Sequence, residues 1–599
     1  MVPFPASEGT SLFLIEGAVT ATCIAVALFV PRVQSRSSGK VRSGPLAHAI
    51  TGLAREKRLC VFLVGTGAFT LRLLILPFSP IPKPFSLGDF SYLLAADTFS
   101  SGRLTNPPHP MWTHFESFHI TVSPTYMSMY FPAQGLTLAA GKVVAGDPWF
   151  GVLVSTALLC AALCWMLQAW LPPKWALLGG LIAILRIGLF SYWIDTYVGG
   201  SVAATGGALV MGALPRIWRK FRTRDTLWLA LGMALLANSR PYEGLLLCAP
   251  ALAVLGWKIS SSRHPAVSIM LLRFAPAILL LLGTIVFMGY YNHRVFGSVF
   301  TPPYKVDREM YASAPHFLWQ KLRPEPVYSH KAMRDFYWKW ERGEFLKTRG
   351  LAGVLRATAL KAVAAQCFFL GVVFLVPMAA LPSALKDKRI RVLSVIAAIF
   401  ACGLAVETWL IPHYVAPLTA VLYAILLQCM RHMRTWRFDG RPIGVFLVRA
   451  IPAVCALLCV VRLYAEPLHL SLAPAKFSSR GWFGTLPFGL ERARVMSDLE
   501  RQPGKQLAIV RYSTDHDAMD EWVYNAADID GAKVVWARDM NPAENKSLID
   551  YFRDRTVWLV EPDANPLKVG RYAATGEFKP ITQIRQAAAN AHDSPPSTD

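Results

Sequence analysis

The chain has 599 residues, of which 54% are hydrophobic and 17% charged, and its formal net charge is +23. A soluble globular chain carries about 25% charged residues, so the composition excludes an ordinary soluble domain. It also argues against nucleic-acid binding, because the excess of Lys and Arg lies largely in short loops between apolar runs.

Apolar runs of about 17 to 25 residues have the length needed to cross about 30 Å of hydrocarbon. Backbone polar groups find no water there, so the expected form is helical. Twelve spans are predicted in chain order: 11–31, 59–78, 149–171, 174–192, 198–215, 226–241, 244–258, 268–291, 363–382, 392–410, 413–430 and 445–464. The first lacks a basic stretch before it and is read as a span, not a cleavable signal. Segment 134–147 is too short to cross and is expected to lie along the surface or to re-enter.

Five loops are basic: 32–58, with Arg32, Arg36, Lys40, Arg42, Arg55, Lys57 and Arg58; 216–225, RIWRKFRTRD; 259–267, with Arg263; 383–391, SALKDKRIR; and 431–444, RHMRTWRFDGRPIG. Twelve alternating spans put all five on one side, which the positive-inside rule assigns to the cytoplasm. Segments 79–133 and 292–362 and the C-terminal part then lie outside.

The ten cysteines all fall in apolar runs, with no disulfide framework or zinc spacing. Cys160/Cys164 and Cys455/Cys459 are one helical turn apart and are read as packing residues.

Residues 465–599 form a separate unit. The runs 506–512, 533–538 and 556–562 look like buried strands, and 542–554 like an intervening helix. That alternation predicts a small extracytoplasmic α/β domain. It has no Gly-rich nucleotide fingerprint, so no cofactor is assigned. Residues 586–599 are expected to be disordered.

An ionisable group inside a span costs about 2.5–3.5 kcal/mol on insertion scales, so it needs a partner or a purpose. Arg72, Arg186 and Arg240 fall toward the outer ends of their spans. Together they could hold a lipid phosphate, which the guanidinium fork grips in bidentate fashion. The alternatives are snorkelling to headgroups, or a structural pair such as Arg240 with Glu243. Asp195, Glu243, Glu407 and His413 are further polar groups at outer ends, and His413 is a candidate contact for a sugar or phosphate. In 301–311, TPPYKVDREMY, the residues Lys305, Asp307 and Arg308 would touch substrate if the segment folds over a cavity. The spacing of His109, His114, Glu116 and His119 could hold a divalent metal but matches no zinc pattern; loop packing or hydrogen bonding to substrate is the commoner use.

Asp89 lies about ten residues beyond the second span and opens an amphipathic stretch. A carboxylate there can meet a lipid-borne substrate at the membrane surface and act as a general base. Asp is also a favoured helix cap, and both roles can coexist. The sequence GDFSYLLAADTFSSGRLT at 88–105, with the many spans and the long first loop, resembles polytopic glycosyltransferases of the C superfamily. The nearer likeness is to bacterial members of the dolichyl-phosphate-mannose mannosyltransferase and aminoarabinose-transferase type. The resemblance covers 59–464 as a catalytic core; residues 1–58, one span and a basic loop, and 465–599 would be additions. It implies an acidic residue after the first core helix, here Asp89, followed by an amphipathic helix. Many relatives show a paired or spaced acid at this point; here Gly88 precedes Asp89, and Asp97 is the other acid nearby.

The resemblance implies a sugar donor on polyprenyl phosphate, an acceptor that is a cell-envelope glycan, lipid or protein, and no required metal. Arg240, with Arg72, Arg186 or Lys305, would hold the departing phosphate. Rival readings are a lipid-linked glycan flippase, which predicts repeats and broken helices, another lipid-linked glycan enzyme, or a non-catalytic assembly protein.

Overall fold

A computed structural model describes residues 11–29, 45–261, 267–470, 480–485, 490–572 and 579–580. The basic stretch 32–44, most of 262–267 and the tail 586–599 lie outside the described residues.

The chain is mostly helical. In order come α1 Leu12–Leu28, α2 Pro45–Arg55, α3 Lys57–Leu74, α4 Leu87–Ser100, α5 Pro132–Ala145, α6 Trp149–Trp170, α7 Pro173–Ala183, α8 Ser201–Lys220, α9 Thr223–Ala237, α10 Pro241–Ser260, α11 Val267–Phe296 and α12 Pro303–Tyr311. They continue with α13 Lys331–Arg334, α14 Arg342–Lys347, α15 Gly350–Phe369, α16 Leu375–Met378, α17 Leu381–Ala384, α18 Lys388–Ala405, α19 Thr419–Met433, α20 Ile443–Leu463, α21 Leu490–Glu500 and α22 Pro542–Tyr551.

Five helices among the described residues are long and apolar enough to cross a membrane: Trp149–Trp170, Pro241–Ser260, Ser268–Phe296, Gly350–Phe369 and Ile443–Leu463. On α11, Leu272, Leu279 and Val286 are 70–74% exposed. In water that surface would be unfavourable at about 25 cal/mol per Å²; in lipid the penalty vanishes.

Two expected spans have a different course. The run 174–192 is α7 followed by a π turn at Ile184–Gly188. The run 363–382 begins earlier, as α15, and breaks into α16 and α17. Gly371 takes φ +56° just after α15, and Pro382 starts α17. Proline cannot continue a helix because it lacks an N–H and clashes with the preceding turn. Pro412 and Pro417 likewise place two 3₁₀ turns before α19. The surface segment at 134–147 is α5, with Val143 and Val144 exposed.

The described basic loops meet at one end of the bundle. Arg273 reaches the Phe221 carbonyl, Arg219 stands near Arg389, and Lys57 shares a cavity with Arg216 and Arg222. Helix α3 runs from that end to Arg72 near the other.

Residues 120–128 form a small antiparallel pair, β1 Ile120–Thr121 with β2 Met127–Ser128, and β3 Arg480–Gly481 pairs with β4 Gly484–Thr485. The C-terminal part is an α/β sheet of β5 Lys505–Val510, β6 Val534–Arg538, β7 Arg555–Glu561, β8 Lys568–Arg571 and β9 Lys579–Pro580, in the order β6-β5-β7-β8-β9. Strand β5 is parallel to β6 and β7, and α22 makes the crossover. The central strands β5 and β6 are buried along nearly their whole length, which explains their unbroken apolar sequences. Helix α21 and the antiparallel strands β8 and β9 complete the unit.

This unit shares a core with segments 79–133 and 292–362. Phe90, Phe115 and Phe118 pack in one buried cluster with Tyr311, Phe336 and Tyr337 and with Leu507, Ile509 and Tyr524. The rings of Phe90 and Tyr524 stack at 4.1 Å.

Candidate active site

Ser86 and Asp89 form a capping box at the start of α4. The Ser86 hydroxyl accepts from Asp89 N at 3.2 Å, and Asp89 Oδ2 accepts from Ser86 N at 3.1 Å and Phe85 N at 3.4 Å. The other oxygen, Oδ1, accepts from Tyr197 N at 2.8 Å. Ser86, not Asp89, is thus the N-cap of α4; Asp89 is the third helical residue, completes the box and also acts as a tether, and its side chain is fully buried. Burial pushes its pKa up, against the backbone donors that pull it down.

The tether fixes the turn 195–200. Tyr197 O accepts from Gln134 Nε2 at 2.8 Å, and the Tyr197 hydroxyl donates to Pro82 O at 3.0 Å. Gly199 has φ +46°, a conformation suited to glycine. Gly88 admits the turn: a Cβ there would stand 2.6 Å from Val198 Cγ1.

One turn beyond Asp89, Tyr92 belongs to an aromatic cage. Its ring stacks on Tyr130 at 4.4 Å, and Tyr304 meets Tyr130 edge-on at 5.6 Å. The Tyr92, Tyr304 and Tyr414 hydroxyls all lie close enough to feel the Arg240 charge. The Arg240 guanidinium sits 4.4 Å above the Tyr414 ring. Its carboxylate partner Glu243 is 3.6 Å away, so the pair that α10's first turn permits is present but loose. His413 also lies within reach of Arg240, and its Nδ1 is 3.2 Å from the Tyr192 hydroxyl. Glu243, His413 and Arg240 are thereby brought together, as their positions at outer helix ends suggested.

Arg72 and Arg186 are different. Arg72 donates to Ser79 O at 2.8 Å, pairs with Asp195 at 3.4 Å and stacks over Trp149. Burial pushes the Asp195 pKa up to about 6, with Arg72 pulling against it. Arg186 pairs with buried Glu16 at 3.0 Å between the rings of Phe374 and Trp482, and Trp482 Nε1 donates to the same carboxylate. The expectation that the three arginines form one cation cluster is therefore corrected: two of them are already neutralised by carboxylates of their own. Glu16 of α1, the partner of Arg186, carries no local sequence signal of that role.

Lys305 points outward, half exposed, with Glu309 at 3.9 Å. Asp97 pairs with Lys142 and accepts from Ala527 N at 2.7 Å, so it anchors the C-terminal unit to α4. Asp307 is the unexpected group. It is fully buried, with the Tyr337 hydroxyl beside its carboxylate. Burial pushes its pKa up to about 7, Arg308 pulling down. It lies one turn along α12 from Tyr304 of the cage.

The histidine-rich run is dispersed. His109 faces Asp530, His114 Nδ1 lies 3.1 Å from Arg538 O, Glu116 accepts from the Tyr311 hydroxyl at 2.8 Å, and His119 Nδ1 is 2.9 Å from the Tyr130 hydroxyl. Among the described residues no group of three or more His, Cys, Asp or Glu is placed to hold a metal ion.

No family model matches the chain, and no curated protein matches it. Among solved structures it is similar to ArnT from Cupriavidus metallidurans in the apo state, at 11% identity and TM-score 0.43 over 86% of this chain and 93% of that one. The same protein bound to undecaprenyl phosphate gives 12% and 0.41 over 85% and 93%. The Archaeoglobus fulgidus oligosaccharyltransferase tethered with an acceptor peptide gives 11% and 0.42 over 84% and 68%. At these values the chemistry of the site rests on its own residues.

Proposed function

We propose that the protein is an integral membrane glycosyltransferase that moves a sugar from a polyprenyl-phosphate donor to an extracytoplasmic acceptor. The observation that carries this reading is Arg240: a buried cation held by a loose carboxylate and ringed by tyrosines, at the end of the bundle opposite the basic loops. A phosphate ester is the anion such a group suits, and tyrosine faces and hydroxyls suit a sugar ring.

In the proposed step the acceptor oxygen attacks the anomeric carbon and its proton passes to a carboxylate. The bond from that carbon to the phosphate oxygen breaks, and the polyprenyl phosphate leaves with the electron pair, stabilised by Arg240. Direct displacement inverts the anomeric centre. Asp89 is the proposed base, since burial raises its basicity and three backbone N–H donors hold it in place. For an acceptor to reach it, the Tyr197 turn must give way. A second reading takes Asp307 as the base, because burial pushes its pKa up to about 7 and it lies one turn along α12 from Tyr304 of the cage.

The test is transfer by purified protein from a polyprenyl-phosphate sugar, comparing Asp89→Asn with Asp307→Asn. Loss in the first alone supports Asp89, and loss in the second alone supports Asp307. Full activity in both removes the acid–base mechanism. Translocation of lipid-linked glycan without transfer would favour the flippase, and neither activity would favour an assembly role.

A further inference from the structure

One cavity is lined by none of the residues around Arg240 or Asp89. A groove of about 890 Å³ opens at the basic end of the bundle, between α3, α6, α8 and the start of α9. Its mouth carries Lys57, Arg58, Arg216, Arg219, Lys220 and Arg222, together with Arg224, whose partner Asp225 at 3.6 Å is the one acid of the lining. Its walls are apolar: Phe62, Phe69, Val154, Leu158 and Trp228. Phe62 and Leu158 are 64% and 56% exposed.

Two of the cations are pre-set. Arg216 donates to the Gly212 and Trp165 carbonyls at 2.6 and 2.8 Å and lies flat on the Trp165 ring at 3.9 Å. Arg219 donates to Ala169 O at 3.1 Å. These bonds hold the guanidinium groups in place without neutralising their charge, because carbonyls are the acceptors. Helices α3 and α9 both start here, and neither has a side-chain cap on its first N–H groups. Their positive dipole ends add to the field at the mouth.

The groove runs along α3 from Lys57 to Thr70. At 1.5 Å per residue that is about 20 Å, against about 15 Å for half of the hydrocarbon core. A lipid tail therefore fits along the apolar wall with its headgroup among the cations.

We propose that this groove binds an anionic glycerophospholipid of the cytoplasmic leaflet, phosphate at the basic mouth and one tail along α3 and α6. The charge balance of seven cations to one acid selects an anionic over a zwitterionic headgroup. The site is separate from the Arg240 cage and independent of the proposed transfer.

The test is native mass spectrometry of the full chain in detergent, titrated with phosphatidylglycerol, cardiolipin, phosphatidylethanolamine or undecaprenyl phosphate. The paired variant Lys220→Glu/Arg222→Glu reverses two exposed charges at the mouth. Leu158→Trp narrows the tail groove while leaving every cation in place. The expected result is preferential retention of phosphatidylglycerol or cardiolipin, lowered at least tenfold in the charge variant and lowered also in Leu158→Trp. Equal retention of phosphatidylethanolamine overturns the proposal. So does unchanged binding in both variants, or tighter binding of undecaprenyl phosphate than of either anionic phospholipid.

Discussion

Asp89 Oδ1 accepts a hydrogen bond from Tyr197 N at 2.8 Å across 108 residues of sequence. One carboxylate thereby joins the start of α4 to the turn before α8. The proposed base and the course of the turn 195–200 are set by the same contact.

Gly88 is what permits that approach. Gly88→Val should push Val198 away, since even a Cβ would lie 2.6 Å from its Cγ1. The tether to Tyr197 should lengthen and transfer should fall at least tenfold. Gly102→Ala, at an open surface turn, controls for mild destabilisation and should retain most activity. Activity assays beside thermal unfolding in detergent would separate the two effects.

Arg240→Gln should abolish transfer, and by leaving Glu243 buried without its cation it should also lower stability by about 3–5 kcal/mol. Adding Glu243→Gln should restore much of the stability but none of the transfer. Recovery of both would make Arg240 a structural partner only. Unfolding curves and initial rates on the same preparations decide between these outcomes.

Arg186 and Glu16 should behave oppositely. Breaking a buried pair by removing one partner costs about 3–5 kcal/mol, while replacing both with apolar residues is often neutral. Glu16→Gln should therefore destabilise, and Glu16→Leu with Arg186→Leu should recover stability. Transfer per folded molecule should be little changed in the recovered variant. A large loss there would return Arg186 to the phosphate site.

His330 lies in segment 292–362, where burial and the nearby Arg538 push its pKa down to about 3. In the unfolded chain a histidine titrates near 6.5, so below that pH the unfolded state binds the extra proton and stability falls as pH falls. For one such group the loss is about 2 kcal/mol at pH 5. Unfolding of wild type and His330→Asn between pH 7.5 and 5 should converge at low pH, the variant losing less. Parallel pH profiles would contradict this.

Much of the site was legible locally. The helix start at Asp89 was readable to within one turn, although the N-cap is Ser86 and Asp89 completes its capping box. The three central strands and α22 of the C-terminal unit followed from unbroken apolar runs and an intervening polar helix. The partners of the arginines did not follow, because Glu16 and Arg186 are 170 residues apart and nothing local couples them. The break after α15 had its signals in Gly371, Pro377 and Pro382, but averaged hydropathy across 363–382 outweighed them. The cage around Arg240 draws single tyrosines from α4, α12 and the turn before α19, each of which reads alone as interfacial packing. Asp307 was visible only as one of three charged residues in 301–311; its burial beside the Tyr337 hydroxyl depends on the distant turn Asp335–Glu341.

The most direct measurement is mass spectrometry of cell-envelope glycans and glycolipids from cells lacking the gene, complemented with wild type, Asp89→Asn or Arg240→Gln/Glu243→Gln. The account predicts that one sugar disappears from one envelope component, returns with wild type, and does not return with either variant although both are present in the membrane. An unchanged envelope in the deletion, or full restoration by both variants, would contradict it.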